Sequence, residues 1–202
     1  MSTFNKLLDN SIMAIGAPKA GRNGLFQRIF WSEFKEFNEK IFPDFVNKEI
    51  SVDNNNVKIN IWRWQGSEKM YNQPHHMRRY HKNTIVVLVV FDLNNPESLK
   101  QVYVLLTEAQ QTEHKYKYIL VGNKSDLEKQ YSNDDIEAFK NAWDINVYFE
   151  VSAKNNNNIQ ELFQQAAREV VKINQQKENI ILEQQQQNES LLLKPKSKGF
   201  CC

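Results

Sequence analysis

Apolar runs and helical stripes alternate along most of the chain. Ser11-Ile12-Met13-Ala14-Ile15 is a run that stops at Gly16 and predicts a buried strand, after which Leu25, Phe26, Ile29 and Phe30 recur at helical spacing. Lys48 to Val52 and Val57 to Trp62 alternate apolar and polar residues about an Asp53-Asn54 turn signal, the pattern of a hairpin with one buried face. Ile85 to Phe91 is apolar throughout, as a central strand covered on both sides should be. A helix is expected from Pro96, with Leu99, Val102, Leu105 and Leu106 on one face. Tyr118 to Gly122 predicts another buried strand, Ser132-Asn133-Asp134-Asp135 a helix start, and Val147 to Val151 one more strand. Ile159, Leu162, Phe163, Ala166, Ala167, Val170 and Val171 form the clearest stripe, that of a helix laid on a sheet. Beyond Asn174 the stripe dissolves into Gln, Lys and Glu and then Lys194-Pro195-Lys196-Ser197-Lys198-Gly199-Phe200. Residues 1–174 therefore read as one domain and 175–202 as a flexible tail. Strands alternating with helices predict an α/β fold with a doubly wound, mainly parallel sheet, whose ligands bind at the carboxyl ends of the strands.

Composition narrows the picture. A hydrophobic share of 41% in 202 residues is enough for a single core. The 26 basic and 24 acidic residues are spread along the chain, so no nucleic-acid-binding surface is expected. Both cysteines, Cys201 and Cys202, stand at the end of the sequence, which leaves no internal disulfide and agrees with a reducing, intracellular compartment. No apolar run approaches the roughly 20 residues of a membrane span, and no signal peptide is expected. His75, His76 and His81 have no cysteine or carboxylate at ligand spacing, so no zinc site is expected. The asparagine and glutamine runs read as compositional bias.

The candidate chemistry lies just after the predicted strands. Asn123-Lys124-Ser125-Asp126 follows one buried strand. An aspartate there can accept from the N1 and N2 donors of guanine, a pattern adenine lacks, while a lysine stem lies along the base. Ser152-Ala153-Lys154 follows the last strand, where the Ala153 amide is expected to donate to the guanine keto oxygen and Lys154 to flank the ring. Gly16-Ala17-Pro18-Lys19-Ala20-Gly21-Arg22-Asn23 follows the first strand, and its framing glycines permit the tight path that points amides at phosphate. Asn-Lys-x-Asp alone is a weak sign in an asparagine-rich chain; three loops in this order and context are a strong one.

Over nearly its whole length the chain resembles a small GTPase of the Ras superfamily, and a Rab protein in particular. Val57-Lys58-Ile59-Asn60-Ile61-Trp62 resembles the family's interswitch strand, and Phe91-Asp92 with Pro96-Glu97-Ser98 its next strand and helix start. The resemblance implies a single P-loop domain with a six-stranded, mainly parallel sheet flanked by helices. It implies GTP or GDP as ligand, contacted by Gly16, Lys19, Gly21, Arg22, Asn23, Gly66, Asn123, Lys124, Asp126, Ser152, Ala153 and Lys154. Phe45, Trp62 and Tyr80 match the aromatic trio that meets effector proteins. Cys201-Cys202 is similar to the double-cysteine ending that receives geranylgeranyl groups, two chains being what stable attachment requires. Lys194, Lys196 and Lys198 add attraction to anionic lipid. Effectors, prenylation and extraction factors, and a place on the cytoplasmic face of intracellular membranes with a cytosolic pool, are implied in the same way, with a role in vesicle traffic.

The phosphate side departs from the family. Arg22 replaces the P-loop lysine and Asn23 the magnesium-binding hydroxyl; the metal- and γ-phosphate-sensing threonine falls on Lys40, the metal-supporting aspartate on Arg63 and the water-orienting glutamine on Ser67. Gly66 and Glu68 are kept. Phosphoryl transfer is catalysed chiefly by metal, positioning and charge stabilisation, so hydrolysis is expected to be very slow or absent, and magnesium binding is left open. Alternatives are a pseudo-GTPase scaffold that binds partners without nucleotide, and a GTPase with rearranged catalysis in which Arg22, Lys40 and Arg63 neutralise phosphate directly.

Overall fold

The computed structural model describes residues 10–32, 34, 45–63, 84–110 and 115–192. Lys40, Gly66, Ser67, Tyr80, Cys201 and Cys202 lie outside them, as do the three histidines considered above. In chain order the elements are β1 (Ser11–Gly16), α1 (Arg22–Trp31), β2 (Phe45–Val52), β3 (Asn55–Arg63), β4 (Thr84–Asp92), α2 (Ser98–Gln110), β5 (Lys117–Asn123), α3 (Asn133–Ala142), β6 (Val147–Glu150) and α4 (Ile159–Leu192).

The six strands form one sheet in the order β2-β3-β1-β4-β5-β6. Every neighbouring pair is parallel except the β2–β3 hairpin. Asp53 and Asn54 turn that hairpin with φ of 46° and 66°, the left-handed backbone that Asn and Asp tolerate best. All six residues of β1 and all nine of β4 are buried, as their apolar runs predict for strands covered on both faces. Ile159, Leu162, Phe163, Ala166, Ala167 and Val170 of α4 are buried where that helix crosses β1, β2 and β4. On α2, Leu99, Val102, Leu105 and Leu106 are buried, and the helix packs on β1 and β4. The fold class read from the sequence, a P-loop α/β domain with a six-stranded and mainly parallel sheet, is the one observed.

The end of α4 differs from the tail expectation. Its packed part closes at Asn174, which is buried and donates to Asn10 Oδ1 at 2.8 Å, but the helix continues to Leu192. Glutamine, lysine and glutamate are good helix formers, so a helix nucleated on the sheet propagates past Asn174. Among the described residues no helix is long and apolar enough to cross a membrane.

Candidate functional site

The parallel register brings the carboxyl ends of the strands level. Gly16 pairs with Val90, Asp92 with Asn123, and Gly122 with Glu150. The loops that follow β1, β5 and β6 therefore emerge side by side.

The first loop is held close to the sheet. Ala17 N donates to Val90 O at 3.1 Å and Ala20 N to Ala17 O at 3.2 Å, with left-handed backbone at Lys19 (φ 59°) and Gly21 (φ 86°). A Cβ at Gly16 would lie 2.2 Å from Val90 O, and one at Gly21 would lie 2.3 Å from Asn123 Nδ2. Both framing glycines are thus required by close approach.

Asn123 joins the three loops. Its side chain is buried, donates from Nδ2 to Ala20 O at 2.8 Å and accepts at Oδ1 from Ala153 N at 3.1 Å. One residue further, Lys124 has φ 66° and its Nζ lies 2.6 Å from Asp92 Oδ2. Asp92 is itself anchored, since Asn94 N donates to its Oδ1 at 3.0 Å and its own amide donates to Ser98 Oγ at 2.8 Å. Asp126 Oδ1 accepts from Ser152 Oγ at 2.5 Å, which sets the rotation of the carboxylate. Ser152 Oγ also accepts from Asn155 N at 3.0 Å.

Between these loops lies a cavity of about 280 Å³. Asn123, Lys124, Asp126, Ala153 and Lys154 line one side of it, and Gly21, Asn23, Gly24 and Gln27 the other. Phe34 and Leu127 complete the wall. The residues expected to read guanine are therefore assembled around one space. Gly16, Lys19, Arg22 and Ser152 are outside this lining: Gly16 and Ser152 are buried supports, Lys19 is exposed, and Arg22 is half-buried in the first turn of α1.

One expectation changes. The Ala153 amide, read as the donor to a guanine keto oxygen, already donates to Asn123 Oδ1, so a keto oxygen at that amide would have to share or displace the bond. Lys124, whose ammonium is held by Asp92, lines the cavity. Phe45 pairs with Trp62 across the β2–β3 hairpin, so two of the aromatic trio are neighbours on the outer strands.

Three contributors were not singled out by sequence reasoning. Asp92 had a usable signal, a lone carboxylate closing an otherwise apolar strand. Arg28 and Phe34 had none. The guanidinium of Arg28 donates from Nε to Ala153 O at 2.6 Å and from Nη2 to Lys154 O, and lies 5.5 Å from the centre of the Phe34 ring.

The Ras family model matches residues 11–172, a span that takes in all three loops. The chain belongs to the Ras family. Among its relatives, this Ras-family chain is 28% identical over 174 residues to the Ras-related protein RABF2b of Arabidopsis thaliana, covering 84% of each chain. It is 27% identical over 168 residues to the mouse (Mus musculus) Ras-related protein Rab-7b, covering 80% of this chain and 82% of the relative. It is 29% identical over 164 residues to the Ras-related protein Rab5 of Nicotiana tabacum, covering 80% of each. The match and the Rab names of these relatives make it a Rab-like small GTPase of the Ras superfamily, a guanine-nucleotide-binding family.

Proposed function

We propose that this Rab-like protein binds guanine nucleotide in the cavity between its three loops, hydrolyses GTP very slowly or not at all, and acts on intracellular membranes in vesicle traffic. The observation that carries the reading is the braced base side of the cavity. Asn123 ties all three loops together and Ser152 orients the Asp126 carboxylate that would accept from guanine N1 and N2. Groups already held in place lose little freedom on binding, and a carboxylate so placed rejects adenine.

The phosphate side supports slow or absent turnover. Magnesium demands a tight octahedron of hard oxygen ligands. Here Asn23 lines the cavity with a neutral amide, and the other positions that the family uses for the metal carry Lys40 and Arg63. This donor set does not fit magnesium, so binding is assigned to the base loops and to backbone amides of the glycine loop. Geranylgeranylation of Cys201 and Cys202, with effectors at Phe45, Trp62 and Tyr80, completes the reading.

The test is the nucleotide content of gently purified protein, followed by titration of GDP and GTP with magnesium and with a chelator. Bound guanine nucleotide and affinity unchanged by chelation are expected. Absence of both bound nucleotide and affinity would replace this reading with that of a partner-binding scaffold. Rapid magnesium-dependent turnover that survives Ser67→Ala would overturn the account of the phosphate side.

A further inference from the structure

We infer that Arg28 is a positioning residue of the guanine pocket, one that aims the Lys154 amide, in place of the Ala153 amide, at the keto oxygen of the base. The inference rests on the guanine-binding reading above and specifies how that site recognises its ligand.

Arg28 belongs to the last turn of α1, lies outside the lining of the first cavity and borders a second cavity of about 260 Å³ between α1, β2 and α4. From there its Nε donates to Ala153 O at 2.6 Å and its Nη2 donates to Lys154 O. A guanidinium is a rigid planar fork, so two carbonyls held by one fork are fixed in direction as well as in place. The Phe34 ring, 5.5 Å from the guanidinium carbon, limits the fork's swing. Phe34 is itself lodged where Gly24 has no side chain, since a Cβ there would meet Phe34 Cε2 at 2.9 Å and Ala153 Cβ at 3.0 Å.

The consequence follows from peptide geometry. In a trans peptide the C=O and the following N–H point in opposite directions. With Ala153 O drawn onto Arg28, the Lys154 N–H of the same plane points away from Arg28, and Lys154 lines the cavity with Ala153. The next plane obeys the same rule: Lys154 O is drawn back to Arg28, and Asn155 N is turned to Ser152 Oγ at 3.0 Å. The Ala153 N–H meanwhile is engaged by Asn123 Oδ1. Of the two successive amides, the one oriented by Arg28 is the one left to meet a base acceptor.

The experiment compares GDP with 6-thioguanosine diphosphate, which keeps the N1 and N2 donors and replaces the keto oxygen by a weaker acceptor. Affinities are measured for the full chain and for Arg28→Ala and Arg28→Lys. The unaltered chain should prefer GDP by about tenfold, roughly the value of one good hydrogen bond. Arg28→Ala should reduce that preference to near unity by weakening GDP alone, and Arg28→Lys, able to hold one carbonyl, should restore part of it. Equal weakening of both nucleotides in Arg28→Ala would show a merely structural role and overturn the inference. So would an unaltered chain that binds both nucleotides equally, an outcome that leaves guanine binding itself intact. Failure of the unaltered chain to bind either nucleotide would overturn the parent reading and this inference with it. Should Arg28→Ala fail to fold, the GDP preference of Arg28→Lys decides: a value equal to that of the unaltered chain overturns the inference.

Discussion

Asp92 and Gly16 show how single residues shape the cavity without lining it. Asp92 is nearly buried and holds the ammonium of Lys124, whose side chain is 32% exposed. Asp92→Asn removes the charge partner while keeping an acceptor for Asn94 N. Losing a charge-assisted bond of this kind is worth about 1.5–3 kcal/mol, so GDP should dissociate about tenfold faster or more, measured by displacement of a fluorescent analogue. Unchanged dissociation would mean that Lys124 is placed by its backbone alone. Gly16→Ala forces a Cβ to within 2.2 Å of Val90 O, a backbone atom of the central strand that has no room to yield. A loss of about 1–3 kcal/mol in urea unfolding is expected, with weaker nucleotide binding because the glycine loop shifts. Legibility at this scale depended on sequence separation. Asn123, Lys124, Asp126 and Ser152 could be read because each motif is contiguous and sits at a strand end. Arg28 could not, since its partner Ala153 is 125 residues away, and the Asp92–Lys124 pair spans 32.

The start of α3 and the turn of the β2–β3 hairpin were faithfully encoded. Ser132 caps α3 by accepting from Asp135 N at 3.1 Å, and Asp135 Oδ2 accepts from Ser132 N at 2.8 Å. Only Ile136 of that helix is buried, so the cap carries an unusual share of its stability. Ser132→Ala should cost about 1 kcal/mol in chemical denaturation. An effect near zero would mean that packing of the half-buried aromatics holds α3. The end of α4 was not legible, because the periodic stripe reports packing and helix formation does not need packing once a nucleus exists. Among the described side chains Asn174 is the last buried one of α4, and the helix runs 18 residues past it, about 27 Å at 1.5 Å per residue. Gln184→Pro should lower far-UV helicity while leaving the melting temperature of the domain unchanged. A fall in melting temperature would show that the projecting segment packs on the domain in solution.

At the scale of the molecule, stability should decline at both ends of the pH range for separate reasons. Burial, with Tyr116 nearby, raises the Tyr118 phenol from 10.0 to about 12. A raised acid favours its neutral form in the fold, so this contribution is complete below pH 10 and is lost as pH rises from 10 toward 12. Tyr118→Phe should flatten that alkaline limb in pH-dependent melting; an unaltered limb would assign it elsewhere, with Tyr148, raised by burial and by its bond to Glu150, the next candidate. Glu150 behaves oppositely: burial pushes it up, but hydrogen bonds from Lys129 and Tyr148 and the charge of Lys129 outweigh burial and hold it below the usual carboxylate value. Its contribution is present above about pH 4.5 and is lost as pH falls through the depressed value. By itself the sequence determined the alternation of strands and helices, the hairpin, the buried central strand and the three motif-bearing loops at the strand ends, because periodicity and strand-end motifs are relations among near neighbours. The tertiary structure decided which strands adjoin, that one asparagine fastens all three loops, and that the Ala153 amide is already engaged. It also decided that Arg28 holds the carbonyls of both Ala153 and Lys154. These are distances between residues far apart in the chain, and no local pattern encodes them.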